Sequence, residues 1–153
     1  MSDSTNHSGS FDHEMAEYLQ TFLDETEEQL DDLVETMLLL EGSSTNEVGL
    51  NEAFRLIHSI KGAAGMMGLD QITVLTHHLE NRFERFRSGT ELIDEPTMNL
   101  VLRCIDFLRQ STDRLRSGNP LGNPAELLAE MKQLEARAAS GESENEQPTT
   151  EPG

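Results

Sequence analysis

The stretch "RLIHSIKGAAGMMG", residues 55–68, places an imidazole, an ammonium group and two glycines at helical spacing. His58, Lys61, Gly62 and Gly65 stand at i, i+3, i+4 and i+7, so on a helix they share one stripe. Glycine inside a helix costs about 1 kcal/mol relative to alanine. Two of them beside a histidine and a lysine clear a surface on which another molecule can approach the ring closely. Phe54, Ile57, Ile60 and Ala64 point to a different arc and form the apolar face that buries this helix.

A second pair follows. His77 and Glu80 are three residues apart and share a face of the next helix. The two helices meet at a short turn around Gly68, so they run antiparallel. His58 lies ten residues before Gly68 and Glu80 lies ten after Asp70. With a rise of about 1.5 Å per residue, Glu80 stands level with His58. A carboxylate accepting the Nδ1–H fixes the tautomer and leaves the Nε2 lone pair outward. That arrangement makes histidine a directed nucleophile. It also stabilises the positive charge that develops on the ring. Lys61 is placed to neutralise an incoming or attached phosphoryl group, whose transfer depends on positioning and charge stabilisation. His78, beside this pair, reads as a surface histidine. Zinc accepts His and carboxylate ligands, but Lys61 opposes a cation among His58, His77 and Glu80, and no metal site is assigned.

These side chains need a scaffold, and apolar spacing supplies five helical segments. The first covers about 11–41, on Phe11, Met15, Tyr18, Leu19, Phe22, Leu30, Leu33, Met37 and Leu40. Thr26 and Gln29 interrupt that stripe. The second covers about 46–67 and is stopped by Gly68. The third covers about 70–87 with Asp70 as its cap and Ile72, Leu75, Leu79, Phe83 and Phe86 inward. The fourth starts at the N-cap Asp94, with Pro96 in its first turn, and runs to about 116 on Met98, Val101, Leu102, Ile105, Leu108 and Leu115. Asn123-Pro124 opens a shorter fifth helix to about 139. No stretch reads as a strand. The fold expected is all-α, an antiparallel four-helix bundle with an additional C-terminal fifth helix on its side or end. Residues 1–10 read as a flexible N-terminus, 11–139 as the bundle, and 140–153 as a disordered acidic tail or interdomain linker.

Composition narrows the function. The 153 residues carry a net charge of −18, and residues 1–54 hold 14 Asp or Glu with no Lys or Arg. This excess opposes nucleic-acid binding, which needs cationic contacts to phosphate, and opposes anionic membrane surfaces. The acidic first helix reads as a solvated face, with a docking surface for a basic partner as the alternative. One cysteine, Cys104, allows no intrachain disulfide. No apolar run is long enough to span a membrane, the N-terminus lacks signal-peptide features, and the expected location is the cytoplasm.

Taken together, "HSIKGAAGMMG", the later "LTHHLEN" and the opening "YLQTFLDETEEQLDDLVETMLLLE" resemble the histidine phosphotransfer (HPt) domain, most closely the N-terminal phosphotransfer domain of the CheA family of chemotaxis histidine kinases. The likeness covers about residues 12–137. It implies that His58 is phosphorylated at Nε2, that Lys61, His77 and Glu80 are its hydrogen-bonding and electrostatic neighbours, and that Gly62 and Gly65 belong to a docking surface. Ala63 stands where a second glycine is common, a mild departure. The chain shows no nucleotide loop, because "GAAGMMG" lacks the GK[ST] ending and follows no strand. No cofactor is expected in this chain. The resemblance implies ATP as the phosphate source through a separate histidine kinase catalytic domain, a response-regulator receiver domain as acceptor, and a monomer as the isolated domain. A free-standing HPt protein in a phosphorelay and a non-phosphorylated helical adaptor are the alternatives.

Overall fold

The computed structural model describes residues 2–139, with side chains from His13 onward. Five helices follow in order: α1 (Ser2–Gly42), α2 (Glu47–Met66), α3 (Asp70–Ser88), α4 (Glu95–Arg116) and α5 (Ala125–Ala139). No strand occurs among the described residues. The expected tail at 140–153 lies outside them. No helix among them is long and apolar enough to cross a membrane.

α1 packs on α2 and α4, α2 packs on α3, and α3 closes the ring against α4. The α3–α4 seam is the slimmest, and α5 lies against both of its walls. Buried Met131 and Leu134 fix α5 there, so the fifth helix is a side cover rather than an end cap. The core is a continuous cluster of Leu, Ile, Met and Phe from all five helices, including Leu33, Met37, Ile60, Leu79, Phe83 and Ile105.

Helix ends follow local chemistry. Asn46 caps α2 by accepting from the Gly49 amide at 2.8 Å, and Asp94 caps α4 by accepting from the Thr97 amide at 3.0 Å. Such caps contribute about 1 kcal/mol each. Gly68 ends α2 with φ 72°, a conformation that favours glycine. The cap of α3 is Leu69, not Asp70, and it makes no side-chain cap bond. Asp70 occupies the first turn instead, where its charge complements the helix dipole.

The first helix departs most from the sequence reading. It extends back to Ser2, across the segment read as a flexible N-terminus, which contains no proline and only Gly9 as a weak breaker. Phe11 lies outside the residues whose side chains are described. Met15 and Tyr18 are exposed rather than inward. The reason is length: Gln29 meets Ser59 of α2 and Arg116 at the end of α4 meets Asp24 and Glu27, so α1 before Leu19 outruns its neighbours. Thr26 does not break the apolar stripe but is buried within it, and Leu23 joins it. On α2, Ala53 and Leu56 are buried while Phe54 lies at the core's edge. Part of the acidic surface of α1 is not simply solvated. Arg109 pairs with Asp31 at 2.6 Å, and Arg116 pairs with Asp24 at 2.7 Å and Glu27 at 2.9 Å. Cys104 is buried in α4, and burial pushes its thiol pKa up to about 12.

Candidate phosphotransfer site

The site stands where α2 and α3 run side by side. Ile57 and Ile60 seat α2 in the core on either side of His58, and Leu79 does the same for Glu80 on α3. Glu80 stands level with His58, and the Nδ1 of His58 hydrogen-bonds its Oε2. The other oxygen, Oε1, accepts from Lys61 Nζ at 2.5 Å. One carboxylate therefore joins the histidine and the lysine.

Burial is divided unevenly. The Glu80 side chain is 11% exposed and that of His58 is 63% exposed. Burial works against ionisation of Glu80 and is the largest single influence on it, but hydrogen bonds and charge from Lys61 and His58 together hold the carboxyl below its usual range. An ionised carboxylate can only accept, so the bonded Nδ1 carries the proton. In the neutral ring Nε2 then keeps its lone pair, and it bonds to none of the described residues. The result is a nucleophilic nitrogen on an exposed helix face, held from below by an anion.

Gly62 and Gly65 lie on the same exposed face. A Cβ added to either would meet nothing within 4 Å. Neither has a positive φ. Internal packing and backbone geometry thus give no reason for glycine here, while the space beside His58 stays open to an outside molecule. Gly49 contrasts with them, since a Cβ there would come within 3.1 Å of Leu40.

Two sequence-level assignments change. His77 is exposed and hydrogen-bonds none of the described residues; its ring centroid lies 6.1 Å from that of His78. It sits a helical turn from Glu80 without joining the hydrogen-bonded group. His78 is not a free surface residue. Its Nδ1 bonds Glu135 of α5 at 2.8 Å, within a groove of about 440 Å³ that also includes Asn81, Arg82 and Arg85. Arg82 is almost wholly buried and pairs with Glu91 in the α3–α4 connection. Sequence reasoning also missed Phe54, whose ring stacks beside His58, and the bond from Gln29 Nε2 to Ser59 Oγ at 2.8 Å. The i, i+4 spacing of Phe54 and His58 was the available signal for the first, and the polar break at Gln29 for the second. Among the described residues no group of three or more His, Cys, Asp or Glu side chains could hold a metal ion.

Known proteins resemble this chain in sequence and in fold. The Hpt domain family model matches residues 17–118. The chain is 33% identical over 125 residues to the chemotaxis protein CheA of Rhizobium meliloti, an alignment covering 82% of this chain and 16% of that protein. The chain thus spans about one sixth of the length of the curated relatives it matches. Among solved structures, the CheA phosphotransferase domain from Thermotoga maritima aligns with a TM-score of 0.63 and 35% identity, covering 65% of this chain and 94% of that one. A solution structure of the histidine phosphotransfer domain of CheA aligns with a TM-score of 0.71 and 31% identity, covering 77% of this chain and 91% of that one. With a nucleophilic imidazole presented on a five-helix bundle and the family model matching across the first four helices, the chain belongs to the histidine phosphotransfer domain family, close to the phosphotransfer domain of CheA.

Proposed function

We propose that His58 is the phosphoryl acceptor and carrier of this domain. Its Nε2 attacks the γ-phosphorus of ATP held by a separate histidine kinase catalytic domain, and ADP leaves. The N–P bond then breaks as a carboxylate oxygen of a receiver-domain aspartate takes the phosphoryl group. Glu80 keeps the proton on Nδ1 and balances the positive charge that the ring gains as Nε2 bonds phosphorus. Lys61, anchored on the same carboxylate, sits where it offsets phosphoryl charge. Gly62 and Gly65 leave room for both partners to reach the ring in turn. His77 supplies positive charge to that surface when protonated.

The observation that carries this reading is the Glu80 bridge, with one oxygen on His58 Nδ1 and the other on Lys61 Nζ. The domain holds no nucleotide itself and works as a monomeric module of a chemotaxis-type kinase. The kinship with CheA proteins many times its length supports that context over a free-standing phosphorelay protein. The test is incubation with a CheA catalytic domain and labelled ATP, followed by mass spectrometry under conditions that keep acid-labile phosphohistidine. Label on the His58 peptide, absent from His58→Gln, is expected. Equal labelling of His58→Gln overturns the assignment and favours a helical adaptor.

A further inference from the structure

We infer that Phe54 is a positioning residue for transfer at His58, braced from α3 by Arg87. The proposal rests on His58 being the acceptor. A single hydrogen bond at Nδ1 holds one atom of the imidazole, and the plane of so exposed a ring can still swing about that contact. Phe54, one turn earlier on α2, provides a second constraint. Its ring centroid lies 6.3 Å from that of His58, with the planes 14° apart. Those values describe an offset stack, a favoured aromatic geometry. Together the two contacts fix both the tautomer and the plane, and so the direction of the Nε2 lone pair.

Phe54 is itself held. The Arg87 guanidinium lies 4.1 Å from its ring centroid, a cation–π contact. Arg87 also bonds Glu84 at 2.6 Å and reaches Asn51, which is one turn farther from His58, at 3.5 Å. A chain of contacts runs from Glu84 through Arg87 and Phe54 to the reacting ring. In-line attack depends steeply on such orientation, since displacements of about 1 Å can cost about a hundredfold in rate.

The experiment uses the full chain and four variants, Phe54→Leu, Phe54→Tyr, Arg87→Ala and Phe54→Leu/Arg87→Ala. Leucine fills the space without a ring face, and tyrosine keeps the ring. Two quantities are read: the rate of His58 phosphorylation by a CheA catalytic domain, and the NMR shifts of the His58 ring protons. Phe54→Leu is expected to slow phosphorylation by about two- to tenfold, the range one stack supports, and to remove the ring-current contribution from the imidazole shifts. Phe54→Tyr should return both towards wild type. Arg87→Ala should have a smaller effect that vanishes when Phe54 is already leucine. Unchanged His58 shifts in Phe54→Leu, equal slowing by leucine and tyrosine, or an Arg87 effect that persists without the ring would each overturn the proposal. Label arriving at a residue other than His58 overturns the assignment of the acceptor instead, and the ring shifts still report whether the stack exists.

Discussion

Two of the described histidines give Nδ1 to a glutamate on another helix, and only one of the two, His58, is the proposed phosphoryl acceptor. In His58–Glu80 the carboxylate is buried and the histidine is open, with side chains 11% and 63% exposed. In His78–Glu135 the order is reversed and flatter, with the histidine 21% and the glutamate 31% exposed. The first carboxylate also holds Lys61; the second tethers α5 across the α3–α4 seam. The same pair of functional groups thus makes a presented nucleophile in one place and a helix clamp in the other. What separates them is which partner is buried, and whether the ring stands on a helix face with cleared glycines or lines a groove shared with another helix.

The sharpest test of this contrast exchanges nothing but the histidines. His58→Gln should abolish phosphorylation by a CheA catalytic domain, whereas His78→Gln should leave the rate within about twofold. Labelled phosphate incorporation measures both. Next in size is Glu80→Gln, expected to slow phosphorylation about 100-fold, the lower end of what a positioned proton-holding group contributes. The His58 ring nitrogen shifts should then show mixed tautomers. Because the Glu80 pKa is lowered in the fold, its contribution to stability is complete above the ordinary glutamate pKa of about 4.3. That contribution is lost as pH falls through the lower folded value. Denaturant unfolding of wild type and Glu80→Gln at several acidic pH values should show the difference between them closing in that window.

Gly65→Leu should reduce transfer to partners about tenfold while unfolding is unchanged or shifted slightly upward, since leucine is the better helix former. Gly49→Ala should act on stability alone, its 3.1 Å contact with Leu40 opposing a helix gain of about 1 kcal/mol, and should spare transfer. The smallest effect belongs to the clamp. Glu135→Gln should cost about 1 kcal/mol or less of stability and speed amide hydrogen exchange in α5, with phosphorylation unaffected.

The part of this site that was readable from sequence is local or separated by one tight turn. Apolar spacing located all five helices, and counting outward from Gly68 paired His58 with Glu80 without any tertiary information. Periodicity reports which face of a helix is apolar, not where its neighbours stop. That is why Met15 and Tyr18 read as core although α2 and α4 end before reaching them. The roles of His77 and His78 were equally hard to separate. One residue turns a helix by about 100°, enough to leave His77 exposed while His78 meets Glu135, 57 residues away on a helix whose placement was legible only as side or end. Phe54 was visible as an apolar position, and its edge location became meaningful only with Arg87 in place.

The shut state of Cys104 has a practical consequence. It is the sole thiol of the chain, it lies within the core, and burial raises its pKa to about 12. Mild maleimide labelling will therefore pass it by, and a cysteine installed by Met66→Cys, where the native side chain is 90% exposed one turn from Gly62, becomes a unique attachment point. A fluorophore there would turn each encounter at the His58 face into an optical signal without first removing the native thiol.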